Sequence, residues 1–323
     1  MAGLCLLGVP GPGALRAQEI YFTETFATAP AANGWQSYGD SSLFTWNSAR
    51  QAMDVTWNSA RPNSLFCRPL GIVLNKTNDF LLGFDLVISN VAIGTTPDKP
   101  YTFELAVGLT DLASATNVDF QRGTGFTSPN LVEFDYFPDS GYGATVAGTI
   151  ISSVNEWSSG GFTYPFAVST GDVYHVELRY APSRRTLYSM ITRNGARCAP
   201  LQEAKLGEYF SDFRVDHIAI SSYSDAGQDP AFAGSITAQG TVDSFLFISP
   251  TPVGEVTGGF NGTAWQMQFL SHTNWMYRLE RTQDLLTWTE VTTPVPGTGA
   301  PLMLADDSPP AGKAFYHVRA TRQ

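Results

Sequence analysis

Three carboxylates crowd one short stretch, LVEFDYFPDS, where Glu133, Asp135 and Asp139 fall within seven residues. In an extended chain alternate side chains share a face, with roughly 7 Å between successive same-face positions. Glu133, Asp135 and Phe137 therefore point one way, and Val132, Phe134 and Tyr136 point the other. Pro138 stops the strand and Asp139-Ser-Gly141 has the composition of a turn, so Asp139 belongs to the strand's end. Such a group can do three kinds of work. Two carboxyls about 5–5.5 Å apart can act as nucleophile and proton donor on a glycosidic bond. Hard oxygen ligands can hold calcium, for which Glu133, Asp135 and Asp139 are the candidates. Alternatively the carboxylates are structural and satisfied by hydrogen bonds.

Other polar clusters offer less. The loop Ser222-Tyr-Ser-Asp-Ala-Gly-Gln-Asp-Pro230 sets Asp225 and Asp229 beside glycine, where they could bind calcium or shape the rim of a site. The four histidines are scattered singly, no Cys/His spacing suits zinc, and RGTGF at 122–126 lacks the strand-then-helix context of a dinucleotide fingerprint. The repeat TWNSAR, at 45–50 and again at 56–61, has no third copy and reads as two antiparallel strands joined by a turn. Its Trp46 and Trp57 are then core or cross-strand partners; if exposed, they are platforms on which a sugar ring stacks.

The elements that must position these residues are strands. The chain has 323 residues, 43% of them hydrophobic and only 15% charged, with 30 glycines and 20 prolines. Runs such as Phe80–Ser89, Tyr101–Gly108, Val173–Tyr180 and Thr186–Thr192 alternate or stay apolar between turns, and Asn194-Gly195 marks a tight hairpin. Only Leu201–Phe210 reads as a short helix. The fold class is all-β. Two prolines in Ser249-Pro-Thr-Pro-Val predict a linker over 249–260, between a large domain at 19–248 and a small β-sandwich at 261–323.

A net charge of −10 without a basic cluster argues against nucleic acid as a partner, and no apolar run is long enough to span a membrane. The opening MAGLCLLGVPGPGALRAQ looks like the tail of a secretory signal cut after Ala17, which predicts a secreted or cell-surface protein. Cys67 and Cys198 are then the cysteines left, either bridged or as separate thiols.

Several stretches together resemble the concanavalin A-like lectin/glucanase domain: Glu24-Thr-Phe26 with Gly34-Trp35, Leu131–Asp135, Tyr174–Tyr180 with its hairpin, and Gly240–Phe247. The resemblance implies a two-sheet antiparallel jelly roll that binds or cuts glycans. The glucanases of that family carry a second Glu where this chain has Phe137 and Pro138, so the resemblance favours a non-catalytic, lectin-like protein with a polysaccharide or glycoconjugate partner. A divergent polysaccharide-active hydrolase or lyase, and a surface or matrix protein without sugar binding, are the alternatives. The legume lectins follow Glu-x-Asp with further ligands for paired metals; here those later positions fall near Ala144 and Thr149, which leaves calcium as the cofactor the resemblance implies. Residues 277–289 and 314–319 resemble a small C-terminal β-module of exported proteins of Verrucomicrobia and related bacteria.

Overall fold

The computed structural model describes residues 20–123, 127–139, 141, 143–160, 166–273 and 275–322. The leader-like Met1–Ala17 and its cut site lie outside the described residues. The first unit begins with β1 (Ile20–Glu24), β2 (Gln36–Tyr38), β3 (Phe44–Asn47), β4 (Ala52–Asn58), β5 (Ser64–Leu74), β6 (Phe80–Ile93), β7 (Leu105–Thr110) and β8 (Leu131–Phe137). It continues with β9 (Thr145–Ile151), β10 (Trp157–Ser159), β11 (Tyr174–Ala181), β12 (Thr186–Arg193), β13 (Ala196–Arg197), β14 (Gln202–Lys205), β15 (Val215–Ser222) and β16 (Ile236–Ser249). A single helical turn, α1 (Leu112–Ala115), follows β7.

All pairings between these strands are antiparallel, in two sheets. One runs β13-β12-β11-β6-β16-β4-β3, with β1 also on β16 and β14 also on β12; the other runs β10-β9-β8-β7-β15-β5-β2. The inward faces follow from period-2 alternation: Phe80, Leu82, Phe84, Leu86 and Ile88 of β6 and Tyr174, Val176, Leu178 and Tyr180 of β11 are all buried. They meet Leu105, Val107, Val132, Phe134 and Tyr136 of the opposite sheet in one hydrophobic cluster. Phe84 and Phe134 make an edge contact across the sandwich at 6.1 Å between centroids. Glu24 ties the entry segment together, accepting hydrogen bonds from Phe26 N at 2.8 Å, Asn33 Nδ2 at 2.9 Å and Trp35 Nε1 at 3.1 Å.

The repeat is the expected strand pair: β3 and β4 are neighbours, with Trp46 opposite Met53. Trp57 is 0% exposed and belongs to the core, so it offers no face to a sugar. Trp46 is half-buried against the same core, and its Nε1 donates to Phe26 O at 2.9 Å. Asn194 and Gly195 both take positive φ, 50° and 80°, which turns β12 into β13 with the twist a two-residue hairpin needs.

Two expectations change, and the open question of the cysteines is answered. Leu201–Phe210 is not a helix: β14 adds to the edge of β12, because alternation of Gln202 and Ala204 inward with Glu203 and Lys205 outward outweighs helix propensity. The stretch 249–260 is mostly not a linker, since β17 (Gly254–Asn261) pairs with β18 (Ala264–Leu270). Only Pro250–Val253 lies between β16 and β17. The second unit also holds β19 (Trp275–Thr282), β20 (Thr289–Glu290), β21 (Val295–Pro296), β22 (Pro301–Asp306) and β23 (Phe315–Arg322), in a three-stranded and a four-stranded sheet around Met267, Phe269, Trp275, Tyr277, Leu279 and Leu304. Ile248, near the end of β16, packs into that second cluster. Finally, Cys67 and Cys198 are free thiols: one is buried on β5 and the other exposed beyond the β12–β13 hairpin, on different sheets. Burial pushes the Cys67 thiol up to about 12.

Alkylation of the folded protein followed by peptide mapping is expected to label Cys198 and spare Cys67, with Cys67 labelled only after denaturation; a Cys67–Cys198 cross-linked peptide would contradict the fold.

Candidate active or binding site on the outer face

Glu133 and Asp135 do share a face, and it is the outer one of the seven-stranded sheet. In β8 they stand opposite Thr149 and Ala147 of β9 and opposite Gly108 and Ala106 of β7. Gly108 is required there: a Cβ on it would come within 2.6 Å of Glu133 Cβ and 2.3 Å of Val132 O. The outer face is not open, because loops cover it, and both carboxylates are almost fully buried.

What they face is a cation from the chain itself. Arg122, 7% exposed, lies in the loop after α1, where Gln121 and Thr127 exchange backbone hydrogen bonds at 3.0 and 3.2 Å. Its Nε donates to Glu133 Oε1 at 2.7 Å, and one terminal nitrogen donates to Asp135 Oδ2 at 3.1 Å. Glu104 Oε1 lies 3.0 Å from the same Nε, without hydrogen-bond geometry. Thr149 Oγ1 donates to Asp135 Oδ2 at 2.6 Å and Tyr223 Oη to Glu133 Oε2 at 2.8 Å. Asp135 Oδ1 is buried with no hydrogen-bond partner among the described residues.

One oxygen each of Glu104, Glu133 and Asp135 lies within 4.8 Å of the others, the spacing of a cation site. A guanidinium occupies that role, and calcium does not fit alongside it. A further cation would need the same oxygens and would sit against a fixed positive charge. Asp139, the third expected ligand, is not in this group. Its carbonyl accepts from Thr102 N and Oγ1 at 2.9 and 2.6 Å, and its Oδ1 accepts from Gly141 N at 3.0 Å, so it builds the turn. Asp225 is likewise engaged, by Lys99 Nζ and by Ser59 Oγ at 2.7 Å, and Asp229 Oδ1 accepts from Ala231 N at 2.9 Å. Gln228 of the same loop lines the pocket described below.

Three carboxylates against one guanidinium leave an excess of negative charge in a buried place. Burial, opposed by Arg122, pushes Glu104 up to about 7. Burial and the neighbouring Glu133 raise Asp135 well above the carboxylate range. Burial alone would lower Arg122, but Glu104, Glu133 and Asp135 outweigh it and hold its charge. Burial, with Glu133 beside it, raises Tyr223.

Above this cluster is a pocket of about 330 Å³. Asp135, Glu104 and Arg122 line it beside Thr149, Ala147 and Ile151 of β9. Phe103, Phe137, Trp157 and Phe232 give it apolar walls, and Gln228 comes from the rim loop. Trp157 and Phe232 are 52% and 63% exposed, so their rings stand open at the surface. Sequence reasoning does not find Arg122, Glu104, Tyr223, Trp157 or Phe232. Glu104 is hidden in a run, 101–108, that reads as one strand, and Arg122 is a lone cation in a loop. The one available signal is an arginine in a stretch, 112–130, that is otherwise without basic residues.

No protein-family model matches the chain, and no curated protein matches it. Solved structures do. Peanut lectin, in complex with a nine-residue peptide, is 16% identical over 72% of this chain and 98% of its own, with a TM-score of 0.45. Lectin UEA-II complexed with galactose is 14% identical over 72% and 99%, TM-score 0.47. An alginate lyase in complex with alginate tetrasaccharide is 11% identical over 71% and 96%, TM-score 0.39. These likenesses concern the fold alone.

Arg122→Met is expected to lower stability by about 3–5 kcal/mol in denaturant unfolding, because it leaves buried carboxylates without their counter-ion. The pH profile has a defined sign. The folded protein holds the Glu104 proton more tightly than the unfolded chain does, so this group's contribution is complete below about 4.5 and is lost as pH rises through about 7. Denaturation midpoints should fall across that window, and Glu104→Gln should flatten the fall; an unchanged slope in the variant would refute the assignment.

Proposed function

We propose that the protein binds glycans without cutting them, and that the pocket over Arg122 is the binding site. The observation that carries this reading is the combination in one cavity of two open aromatic rings, Trp157 and Phe232, with a polar floor in which Asp135 Oδ1 has no donor among the described residues. Sugars present mixed surfaces of C–H faces and hydroxyls, which aromatic faces and fixed acceptors complement. The expected secreted or cell-surface location, from the leader-like N-terminus, would place the protein among such ligands. The cation the floor needs is Arg122, so binding requires no calcium in this reading.

A second reading, a divergent hydrolase or lyase, has one observation in its favour: Glu104 and Asp135, both raised by burial, line the same pocket, and a carboxyl that keeps its proton can act as a general acid.

A glycan and polysaccharide panel, run with and without chelator, separates the two. Binding that is unchanged by chelator, is weakened about tenfold (~1.4 kcal/mol) by Trp157→Ala and yields no cleaved product supports the first. New reducing ends or unsaturated products, lost in Asp135→Asn, would establish the second. Binding to nothing on the panel would refute both.

A further inference from the structure

The charge balance of the pocket narrows the ligand beyond "a glycan", and this narrowing rests on the glycan-binding reading of the same site. Four ionisable side chains meet at its floor: Glu104, Glu133, Asp135 and Arg122. Tyr223, the other titratable group facing them, spends its hydroxyl proton on Glu133. Lys99 is paired with Asp225. One positive charge therefore stands against three carboxyls, so that Asp135 and Glu104 tend to keep protons while the pocket is empty, and an incoming cation takes the place of those protons, which pass to the solvent.

The shortage is of donors as well as charge. Asp135 has a side chain 1% exposed; its Oδ2 takes both Thr149 and Arg122, and its Oδ1 takes nothing among the described residues. Glu104 Oε1 is buried and near Arg122 but receives no hydrogen bond from it. Buried acceptors left in this state are costly, and a ligand that supplies donors and positive charge relieves them most. A metal ion does not suit the place, because the guanidinium is already among the oxygens. An acidic sugar suits it least, since its carboxylate would enter a field of like charge. An ammonium fits: it carries three donors, and the walls include the aromatic side chains of Phe103, Phe137, Trp157 and Phe232, a residue type whose ring face attracts a cation. The cavity of about 330 Å³ is at the small end of ligand sites, roughly 300–1,000 Å³, which suits a short saccharide.

We propose that the pocket selects a saccharide bearing a protonated amine, an amino sugar not acetylated on nitrogen, which seats its ammonium against Asp135 Oδ1 and the Glu104 carboxyl.

Calorimetry on the full chain at neutral pH tests this with three probes: a glucosamine disaccharide, its N-acetylated counterpart and a uronic-acid disaccharide. The amine form should bind at least about tenfold more tightly than the acetylated form, the worth of one charge-assisted hydrogen bond, and the uronate most weakly. Asp135→Asn places an N–H donor where Oδ1 accepted, and should erase the preference for the amine over the acetylated form. If that variant does not give a cooperative thermal transition, Glu104→Gln serves the same purpose and should reduce the preference. Equal affinity for the amine and acetylated forms, or tighter binding of the uronate, overturns the proposal and leaves glycan binding standing. Failure of all three probes to bind, when other glycans of the panel do, overturns it as well; failure across the whole panel overturns the binding reading with it.

Discussion

A guanidinium enclosed by three carboxyls organises the outer face of this protein. Placing Arg122 there removes its water, and the interior tolerates that only because Glu133 and Asp135 accept its protons at 2.7 and 3.1 Å and Glu104 stands 3.0 Å away. The dependence runs both ways. Without the cation, Glu133 and Asp135 would be two like charges side by side on one strand, beneath a loop, with Thr149 and Tyr223 the side chains among the described residues that offer them hydrogen bonds. The loop that carries Arg122, the strand that carries the carboxylates and the loop that carries Tyr223 are thereby held at fixed distances, and the pocket is the space left between them.

The same arrangement gives an acidic strand a structural partner that its own sequence does not announce, since Glu133 and Asp135 are engaged by Arg122. Alternation correctly puts Glu133 and Asp135 on one face, and Phe137, not a second glutamate, follows them on that face and becomes part of the pocket wall. The third member of the acidic group comes instead from Glu104, one residue before β7, a partner that no local spacing could supply.

Elements with strong local signals are readable from the sequence: the β6 and β11 alternation, the Asn194-Gly195 turn and the antiparallel pair made by the TWNSAR repeat each depend on neighbours a few residues away. Leu201–Phe210 misleads because its helix-forming composition is local while the free edge of β12, which recruits it as a strand, is not. The site is legible only in part for the same reason. Glu133 and Asp135 are adjacent by period, but Arg122, Glu104 and Tyr223 reach them across 11 to 90 residues of chain or from a neighbouring strand, and nothing in the one-dimensional pattern marks a tertiary ion pair.

The strand β16 carries a mechanical implication. It lies inside the nine-stranded sheet, with β6 along one flank and β4 followed by β1 along the other, and its last residues enter the core of the second unit through Ile248. Tension applied through the C-terminal unit would thus run along β16 and load many inter-strand hydrogen bonds at once in shear, instead of peeling them one by one. The small unit is coupled to the large one as a handle is to a blade, by a shared spine and not by a hinge.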